Sequence, residues 1–218
     1  MKDFAIPTGP RAVRPSLLML SHCVPSSQGR GAESLRAWQL LATFSRTHDI
    51  HLACLADGPV SLAQWRWLHA RTKQIVIEPA RRLRGLLGRI VSLFAPQAAQ
   101  ALTMGGLFRK PVREWSQRLP LDVVLCTRLA LIDATRPIKQ CERIIDLHHE
   151  TLRQDARLAL CDTIVISDAR QASALGSHNK RTMLVPAFDK VREGQTIRLT
   201  TAQEMEPLAL PLPLKKAA

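Results

Sequence analysis

The sequence predicts an α/β fold: a single Rossmann-like domain with a mostly parallel sheet of about seven strands and helices on both faces. Three observations lead to this prediction. Short apolar runs without polar alternation recur along the chain, as is typical of strands buried on both faces. Segments with apolar residues at helical spacing separate these runs, and such alternation indicates parallel strands joined by helices. Polar residues directly follow several runs, at the edge where parallel sheets bind ligands.

The predicted domain covers residues 16–190. It follows a flexible lead, residues 1–15, and precedes an extended or disordered tail, residues 191–218. The predicted strands are Leu17–Leu20, Ile50–Leu55, Gln74–Ile77, Asp122–Cys126, Arg143–Leu147, Thr163–Ile166 and Arg181–Val185. Helices are predicted from Ala32 onward and at Leu62–Lys73, Val112–Arg118, Leu129–Thr135, Leu152–Leu160 and Ala169–Leu175. Before Val112, Pro96 and the pair Gly105-Gly106 suggest a turn or a mobile loop.

The first strand, loop and helix form the unit around which the chain is organised. Gly29 and Gly31 close a Ser-rich loop, and the helix that follows carries an apolar face of Leu35, Trp38, Leu41 and Ala42, with Arg36 off that face. The backbone N–H groups at the start of such a helix favour anions. A dinucleotide-binding GxGxxG motif would need a third glycine where the chain has Ser34, so the two glycines either approach an anion or only make a turn.

Charge is the outstanding feature of the composition. The chain has 31 Lys and Arg against 18 Asp and Glu, a net charge of +13, which favours anionic partners. Nucleic acid is disfavoured because aromatic residues are scarce and no recognition motif is present. Five scattered cysteines without a CxxC pair indicate a reducing, cytoplasmic compartment. Neither a signal peptide nor an apolar run long enough to span a bilayer is found in the sequence.

The segment between Glu78 and Glu114 is basic and contains no acidic residue. Leucines at helical spacing within residues 81–94 are flanked by four arginines. This pattern is typical of a basic amphipathic helix on an anionic membrane surface. The alternative is a surface helix that packs its leucines on the domain's own core. The arginines predicted to face the membrane are Arg81, Arg82, Arg84 and Arg89.

Candidate site residues are those that directly follow predicted strands. Thr127, Arg128 and Ser167 are candidate substrate-binding residues, and His148 and His149 are candidate general bases for a hydroxyl group. The alternative for each histidine is a structural or solvated side chain. No metal site is predicted, because adjacent histidines on a strand point to opposite faces and no cysteine has the matching spacing.

Other chemistries fit the sequence less well. Ser21, His22 and Cys23 follow the first strand, but no GxSxG elbow is present, which disfavours nucleophilic catalysis. No GxxxxGK[ST] loop is present, which disfavours a kinase or ATPase. Asp57 lies near the end of the second strand and either starts a turn with Gly58 or stands where a ribose-binding acid would lie. We predict no cofactor.

Several segments together resemble the N-terminal half of a GT-B glycosyltransferase of the family 4 type, as found in bacterial exopolysaccharide loci. The first strand, glycine loop and helix match the family's opening unit, and the last segments are similar to its aD-x-v-x-x-S strand and its v-P-N-G-V-D hinge. The matching segments are LLMLSHCVPSSQGRGAESLRAWQLLATFSRTHDIHLACLAD, DVVLCTRLALIDA, RIIDLHHET, CDTIVISDARQASAL and MLVPAFD.

The resemblance implies a hexosyltransferase-class enzyme that moves a sugar from a nucleotide-sugar to a glycan or lipid-linked acceptor. By analogy, Gly29 and Gly31 would approach the donor phosphates, Arg36 would contact an anion or lie on the helix face, and His148 or His149 would be the base. Residues 81–94 would face the acceptor or the inner face of the membrane, with the protein cytoplasmic or peripheral there.

The sequence also departs from the family pattern. The C-terminal nucleotide-binding domain with its E-x7-E motif is not in the sequence, and Ala187-Phe188 replace the hinge Asn-Gly. The expectation is therefore a truncated or split enzyme that needs a second chain to bind the donor, and whether the chain is an enzyme by itself stays open. The alternative is a non-catalytic Rossmann-like module that binds an anionic ligand, a membrane surface or a partner enzyme.

Overall fold

Seven strands form one parallel sheet in the order β3-β2-β1-β4-β5-β6-β7. The computed structural model describes residues 13–28, 31–80, 96–147, 156–167 and 181–184, all within one compact unit, Met1–Ala187. The strands are β1 Ser16–Ser21, β2 Asp49–Ala56, β3 Gln74–Pro79, β4 Val123–Cys126, β5 Glu142–Asp146, β6 Thr163–Ile166 and β7 Arg181–Leu184. The predicted fold class is confirmed.

The direction of winding reverses between β1 and β4. From β1 the chain proceeds to β2 and β3 on one side, and it then returns to place β4 against β1, with Leu17 opposite Val123. Both strands are almost wholly buried, because layers cover both faces of the sheet. In open α/β sheets such a reversal opens a crevice at the carboxyl ends of the two central strands.

The first helix, α1, covers Ala32–Phe44, beginning at the predicted residue. Its buried side chains are Arg36, Ala37, Leu40, Leu41 and Phe44. The predicted face is therefore wrong in detail: Leu41 is buried, but Leu35, Trp38 and Ala42 are half-buried. The placement of Arg36 off the buried face is also wrong, because its charge is matched inside the protein by a carboxylate.

The second helix, α2, covers Leu62–His69 and ends before the predicted Lys73. A capping box starts it: the Gln64 backbone N–H donates to the Ser61 hydroxyl, and the Ser61 backbone N–H donates to the Gln64 side chain. At the other end, the Thr72 hydroxyl donates to the Leu68 carbonyl at 2.9 Å. The chain then enters β3, which lies at the sheet edge, where the terminal Pro79 is tolerated.

The third helix, α3, covers Pro96–Arg118, far more than the predicted Val112–Arg118. The turn or mobile loop expected from Pro96 and Gly105-Gly106 is wrong. Proline is tolerated in the first turn of a helix. Phe108, Val112 and Trp115 recur at helical spacing and are buried in the core with Leu18 and Leu20 of β1, and this burial outweighs the low helix propensity of the two glycines.

Two short helices complete the described structure. Leu129–Thr135 and Ala156–Leu160 are 3₁₀ helices, and they lie within the helices predicted at Leu129–Thr135 and Leu152–Leu160. Leu129, Leu131 and Ile132 are buried in the same core cluster as α3. The predictions for residues 1–12, 81–94, 169–175 and 191–218 fall outside the described residues, so the domain boundaries stay predictions. Within the described residues, no helix has the length and apolarity required to cross a membrane.

Candidate functional site

The crevice at the β1/β4 reversal collects polar side chains from three elements. Ser21, His22 and Cys23 end or follow β1, and Thr127 and Arg128 follow β4. The Thr127 backbone N–H donates to the Leu20 carbonyl at 3.0 Å, which ties the two strand ends together. The first turn of α1 adds Glu33.

His22 lies at the centre of this group. Its Nε2 is 2.6 Å from Glu33 Oε2, and its Nδ1 is 3.0 Å from Thr127 Oγ1. The His22 side chain is 9% exposed, whereas that of Glu33 is 35% exposed. With Nε2–H donating to the carboxylate, Nδ1 accepts a hydrogen bond from the Thr127 hydroxyl. The three side chains form a hydroxyl, imidazole and carboxylate series that can move a proton.

Arg128 holds the carboxylate from the other side. Its Nη2 contacts Glu33 Oε1, so Glu33 bridges Arg128 and His22. Arg128 Nε is buried and has no hydrogen-bond partner among the described residues. The guanidinium offsets the charge of the carboxylate and fixes its orientation, since both oxygens of Glu33 are occupied.

A second ion pair is buried below α1. Arg36 Nη2 lies 2.9 Å from Asp146 Oδ1, and the two side chains are 3% and 2% exposed. Arg36 Nε donates to both carboxylate oxygens, at 3.3 and 3.1 Å, and Nη1 donates to Gln39. This burial places Arg36 within the protein interior rather than on an exposed surface.

Cys23 is unsuited to nucleophilic catalysis. Burial raises the pKa of the Cys23 thiol to about 11, and the hydrogen bond with Ser21 and the nearby Arg128 only partly oppose this effect. The thiol is therefore protonated at neutral pH, and only the thiolate is nucleophilic. The Ser21 hydroxyl donates to the Cys23 carbonyl at 2.7 Å, so it is not poised beside a base.

The structure brings together some of the predicted site residues. Thr127 and Arg128 lie in the crevice, and Gly31 is the exposed N-cap of α1, immediately before the turn that carries Glu33. Ser167 follows β6 and is half-buried. The remaining predicted site residues lie outside the described residues: Gly29, Arg81, Arg82, Arg84, Arg89, His148 and His149.

The pairing of His22 with Glu33 was missed by sequence reasoning. His22 was among the candidates that directly follow strands, but the only chemistry considered for it was nucleophilic catalysis with Ser21 and Cys23. Glu33 lay within the candidate range 29–36 and was given no role. The available signal was a histidine directly after the first strand, with an acidic residue in the first turn of the next helix. The described residues contain no group of three His, Cys, Asp or Glu side chains that could hold a metal.

Comparison with known proteins gives distant structural likenesses only. No protein-family model and no curated protein matches the chain. UGT2 of Phytolacca americana, complexed with UDP-2-fluoro-glucose and pterostilbene, aligns with 84% of this chain and 56% of its own at 8% identity and a TM-score of 0.48. A UDP-glucosyltransferase from Polygonum tinctorium, capable of glucosylating indoxyl, aligns with 84% and 55% at 10% identity and a TM-score of 0.46.

A third similar structure is named as a hydrogenase domain and not as a glycosyltransferase. The C-terminal domain of a hydrogenase from Pyrococcus furiosus aligns with 62% of this chain and 95% of its own at 9% identity and a TM-score of 0.39. The chain spans little more than half the length of the two glycosyltransferases. No conclusion on function follows from likenesses this distant.

Proposed function

We propose that the chain is the acceptor-side domain of a GT-B-type glycosyltransferase, with His22 as the base that activates the acceptor. The sugar would pass from a nucleotide-sugar to a hydroxyl of a glycan or lipid-linked acceptor. The sequence resemblance over most of residues 16–190 supports the class of reaction. The observation that carries the proposal is the contact of His22 with both Glu33 and Thr127 at the point where the strand order reverses.

The contacts define a path for the proton. The acceptor hydroxyl gives its proton to Thr127 Oγ1 while the Thr127 hydroxyl proton moves to His22 Nδ1. The imidazolium that forms is stabilised by Glu33 at Nε2, as a carboxylate stabilises a protonated base. The acceptor oxygen then bonds to the anomeric carbon, and the bond from that carbon to the nucleotide diphosphate breaks. In this scheme Arg128 positions Glu33 and does not touch the reacting atoms.

The donor nucleotide is expected to bind between this domain and a second one. GT-B enzymes close two domains over the donor, and the sequence resemblance reaches only the first of them. We therefore propose that donor binding needs a donor-side domain in addition to this one. Gly29 and Gly31 are the proposed approach to the donor phosphates.

The test is sugar transfer from a panel of UDP- and GDP-sugars to glycan and lipid-linked acceptors. The purified chain is assayed alone and with the product of the adjacent gene, and nucleotide binding is followed by calorimetry. We expect His22→Gln to lower the transfer rate about 100-fold or more, because a positioned base contributes at least that much. Thr127→Ser should keep most of the rate, and Thr127→Val should lose it.

His48→Gln is the matched control. His48 is also a buried histidine, but it directly precedes β2 and so lies at the amino ends of the strands, whereas the crevice lies at their carboxyl ends. It should leave transfer unchanged. Full transfer by His22→Gln, with loss in His148→Ala or His149→Ala, would assign the base to those residues and reject our mechanism. If neither nucleotide binding nor sugar transfer is detected under any condition, the proposal that the chain is part of an enzyme is rejected.

One observation favours a second candidate function, an anion-binding module without catalysis. Arg128 Nε is buried and unpartnered in the described part of the chain, and Arg128 Nη2 contacts Glu33 in the first turn of α1. On this reading a nucleotide or phosphorylated ligand binds with equal affinity to the native chain and to His22→Gln, and Arg128→Gln weakens it. Transfer activity that depends on His22 would decide against this candidate.

A further inference from the structure

Helix α2 leaves most of its apolar side chains at the surface. Leu68 is its one buried residue, whereas Leu62 is 66% exposed and Trp65 and Trp67 are half-buried. Among the described residues, only Val13 is a more exposed large hydrophobic side chain. An outer helix normally buries its apolar face against the sheet, so a helix that buries only Leu68, exposes Leu62 and leaves two tryptophans half-buried needs an explanation.

The exposed side chains are ordered rather than scattered. Leu62, Trp65 and His69 follow one another at helical spacing, and the Trp65 and His69 rings stack 5.2 Å apart. On the neighbouring side, the Trp67 ring stacks on Trp38 of α1 at 5.6 Å. The Arg71 guanidinium lies 4.4 Å from the centre of the Trp67 ring. These stacking contacts hold the aromatic side chains in place at the surface.

The surroundings of α2 are strongly basic. Residues 58–77 contain Arg66, Arg71 and Lys73 and no acidic residue. Lys73 pairs loosely with Asp49 at 3.8 Å, while Arg66 is exposed and has no ion pair within the described residues. In the sequence the bias continues, since residues 58–113 hold ten basic residues and one acidic residue, Glu78. Most of the net charge of +13 therefore lies in about a quarter of the chain.

We propose that this surface, the α2 face (Leu62, Trp65, Arg66, Trp67 and Arg71), docks on an anionic lipid bilayer. Tryptophan favours the boundary between headgroups and acyl chains, where its ring meets apolar and polar surroundings together. Leu62 is exposed and can insert among the acyl chains, and the guanidinium groups of Arg66 and Arg71 attract the lipid phosphates. Nucleic acid fits less well, because the stacked Trp faces are occupied by Trp38, His69 and Arg71. The inference goes beyond the proposed function and does not depend on it.

The experiment is co-sedimentation of the purified chain with vesicles of phosphatidylcholine alone or with about 30% phosphatidylglycerol, at low and high salt. We expect binding only with the anionic lipid, and its loss at high salt because counterions screen the attraction. Brominated acyl chains should quench tryptophan fluorescence in the bound state. In Trp65→Ser that quenching should fall.

Variants localise the contact. We expect Arg66→Glu to weaken vesicle binding about tenfold or more, since each basic residue near an anionic surface contributes about fivefold. Leu62→Ser should weaken it about fivefold without affecting the fold, because Leu62 packs on little. Lys139→Glu is the matched control, with the same change in net charge at an exposed residue outside α2. It should bind nearly as well as the native chain.

Three outcomes would overturn the inference. Equal weakening by Lys139→Glu and Arg66→Glu would show that net charge alone drives binding. Loss of binding only when Arg81, Arg82, Arg84 and Arg89 are all replaced by Ser, with the α2 variants unaffected, would place the contact in that segment. No vesicle binding, together with self-association that Leu62→Ser abolishes in sedimentation velocity, would identify the α2 face as a contact between copies of the chain.

Discussion

Arg36 on α1 and Asp146 at the end of β5 form an ion pair that is almost completely buried, with Arg36 Nη2 2.9 Å from Asp146 Oδ1. They are 110 residues apart in the sequence. Glu33, which holds His22, lies one helical turn before Arg36. The pair therefore fixes α1 against the sheet at the turn beside the crevice, and we regard both residues as positioning residues for the Glu33 carboxylate.

The first prediction concerns this pair. Asp146→Asn should lower the free energy of unfolding by about 3 to 5 kcal/mol, because it leaves a buried guanidinium uncompensated. Arg36→Met with Asp146→Leu should recover most of that loss, since apolar replacement removes both charges together. Urea unfolding followed by circular dichroism measures each value.

The exposed pair Arg136–Asp133 is the control for this experiment. Its side chains are 65% and 31% exposed, and Arg136→Met should change stability by less than about 1 kcal/mol. A double variant at Arg36 and Asp146 that is as unstable as the single variant would contradict the interpretation, because the cost would then come from lost packing and not from the uncompensated charge.

The second prediction concerns Cys23. Because burial raises the pKa of its thiol to about 11, alkylation of Cys23 by iodoacetamide should be slow at pH 7 and should accelerate as the pH rises toward that value. Burial raises the pKa of Cys54, Cys126 and Cys141 as well, so these thiols should also react slowly. Mass spectrometry after timed alkylation identifies the modified cysteine. Rapid labelling of Cys23 at pH 7 would show an accessible thiolate and return it to the list of candidate nucleophiles.

The third prediction is a loss of stability at mildly acidic pH. Burial lowers the pKa of both His48 and His51 in the folded protein. The unfolded chain therefore binds protons more readily than the folded one. The two histidines leave the free energy of unfolding undiminished only above the ordinary histidine pKa of about 6.5. The free energy of unfolding should fall as the pH drops from 7 to 5.

Substitutions separate the contribution of each histidine. His48→Gln should flatten this pH dependence, because glutamine does not bind a proton in this range. Its amide can still bond with Thr47, whose Oγ1 lies 2.8 Å from His48 Nδ1. A slope that persists unchanged in both His48→Gln and His51→Gln would assign it to other groups.

The fourth prediction tests the packing of α3. Phe108 is fully buried in the cluster that contains Leu18 and Leu20. Phe108→Ala should lower the free energy of unfolding by about 3 to 5 kcal/mol through lost burial and the cavity it leaves. Arg109→Ala, an exposed neighbour on the same helix, should change it by less than about 0.5 kcal/mol. Similar small effects of both variants in denaturant unfolding would mean that α3 does not pack on the sheet as described.

The strands were predictable because burial on both faces leaves a local signature. The structure confirms, within one residue at either end, three mainly apolar runs that show no polar alternation: Leu17–Leu20, Ile50–Leu55 and Thr163–Ile166. Helix α3 was not predictable in the same way. Its glycines and Pro111 weaken local helix propensity, and the burial of Phe108, Val112 and Trp115 that stabilises it is visible only once the sheet is formed.

The candidate site was half predictable. Thr127 and Arg128 follow from the rule that ligands bind at the carboxyl ends of parallel strands. Glu33 did not follow, because its partners His22 and Arg128 are brought to it by the reversal of strand order between β1 and β4. Arg36 was misplaced for the same kind of reason: a charged residue is expected at the surface unless a partner is known, and Asp146 lies far along the chain.

The sequence by itself determined the parallel sheet, the start of α1, the basic charge and the strand ends at which chemistry can lie. These properties depend on the periodicity and composition of short segments, which the neighbouring residues decide. Only the tertiary structure decided that His22 pairs with Glu33 and Thr127, that Arg36 is buried against Asp146, and that α2 keeps Leu62 and Trp65 at the surface. Such relationships depend on which distant segments the topology places side by side, and no local pattern carries that information.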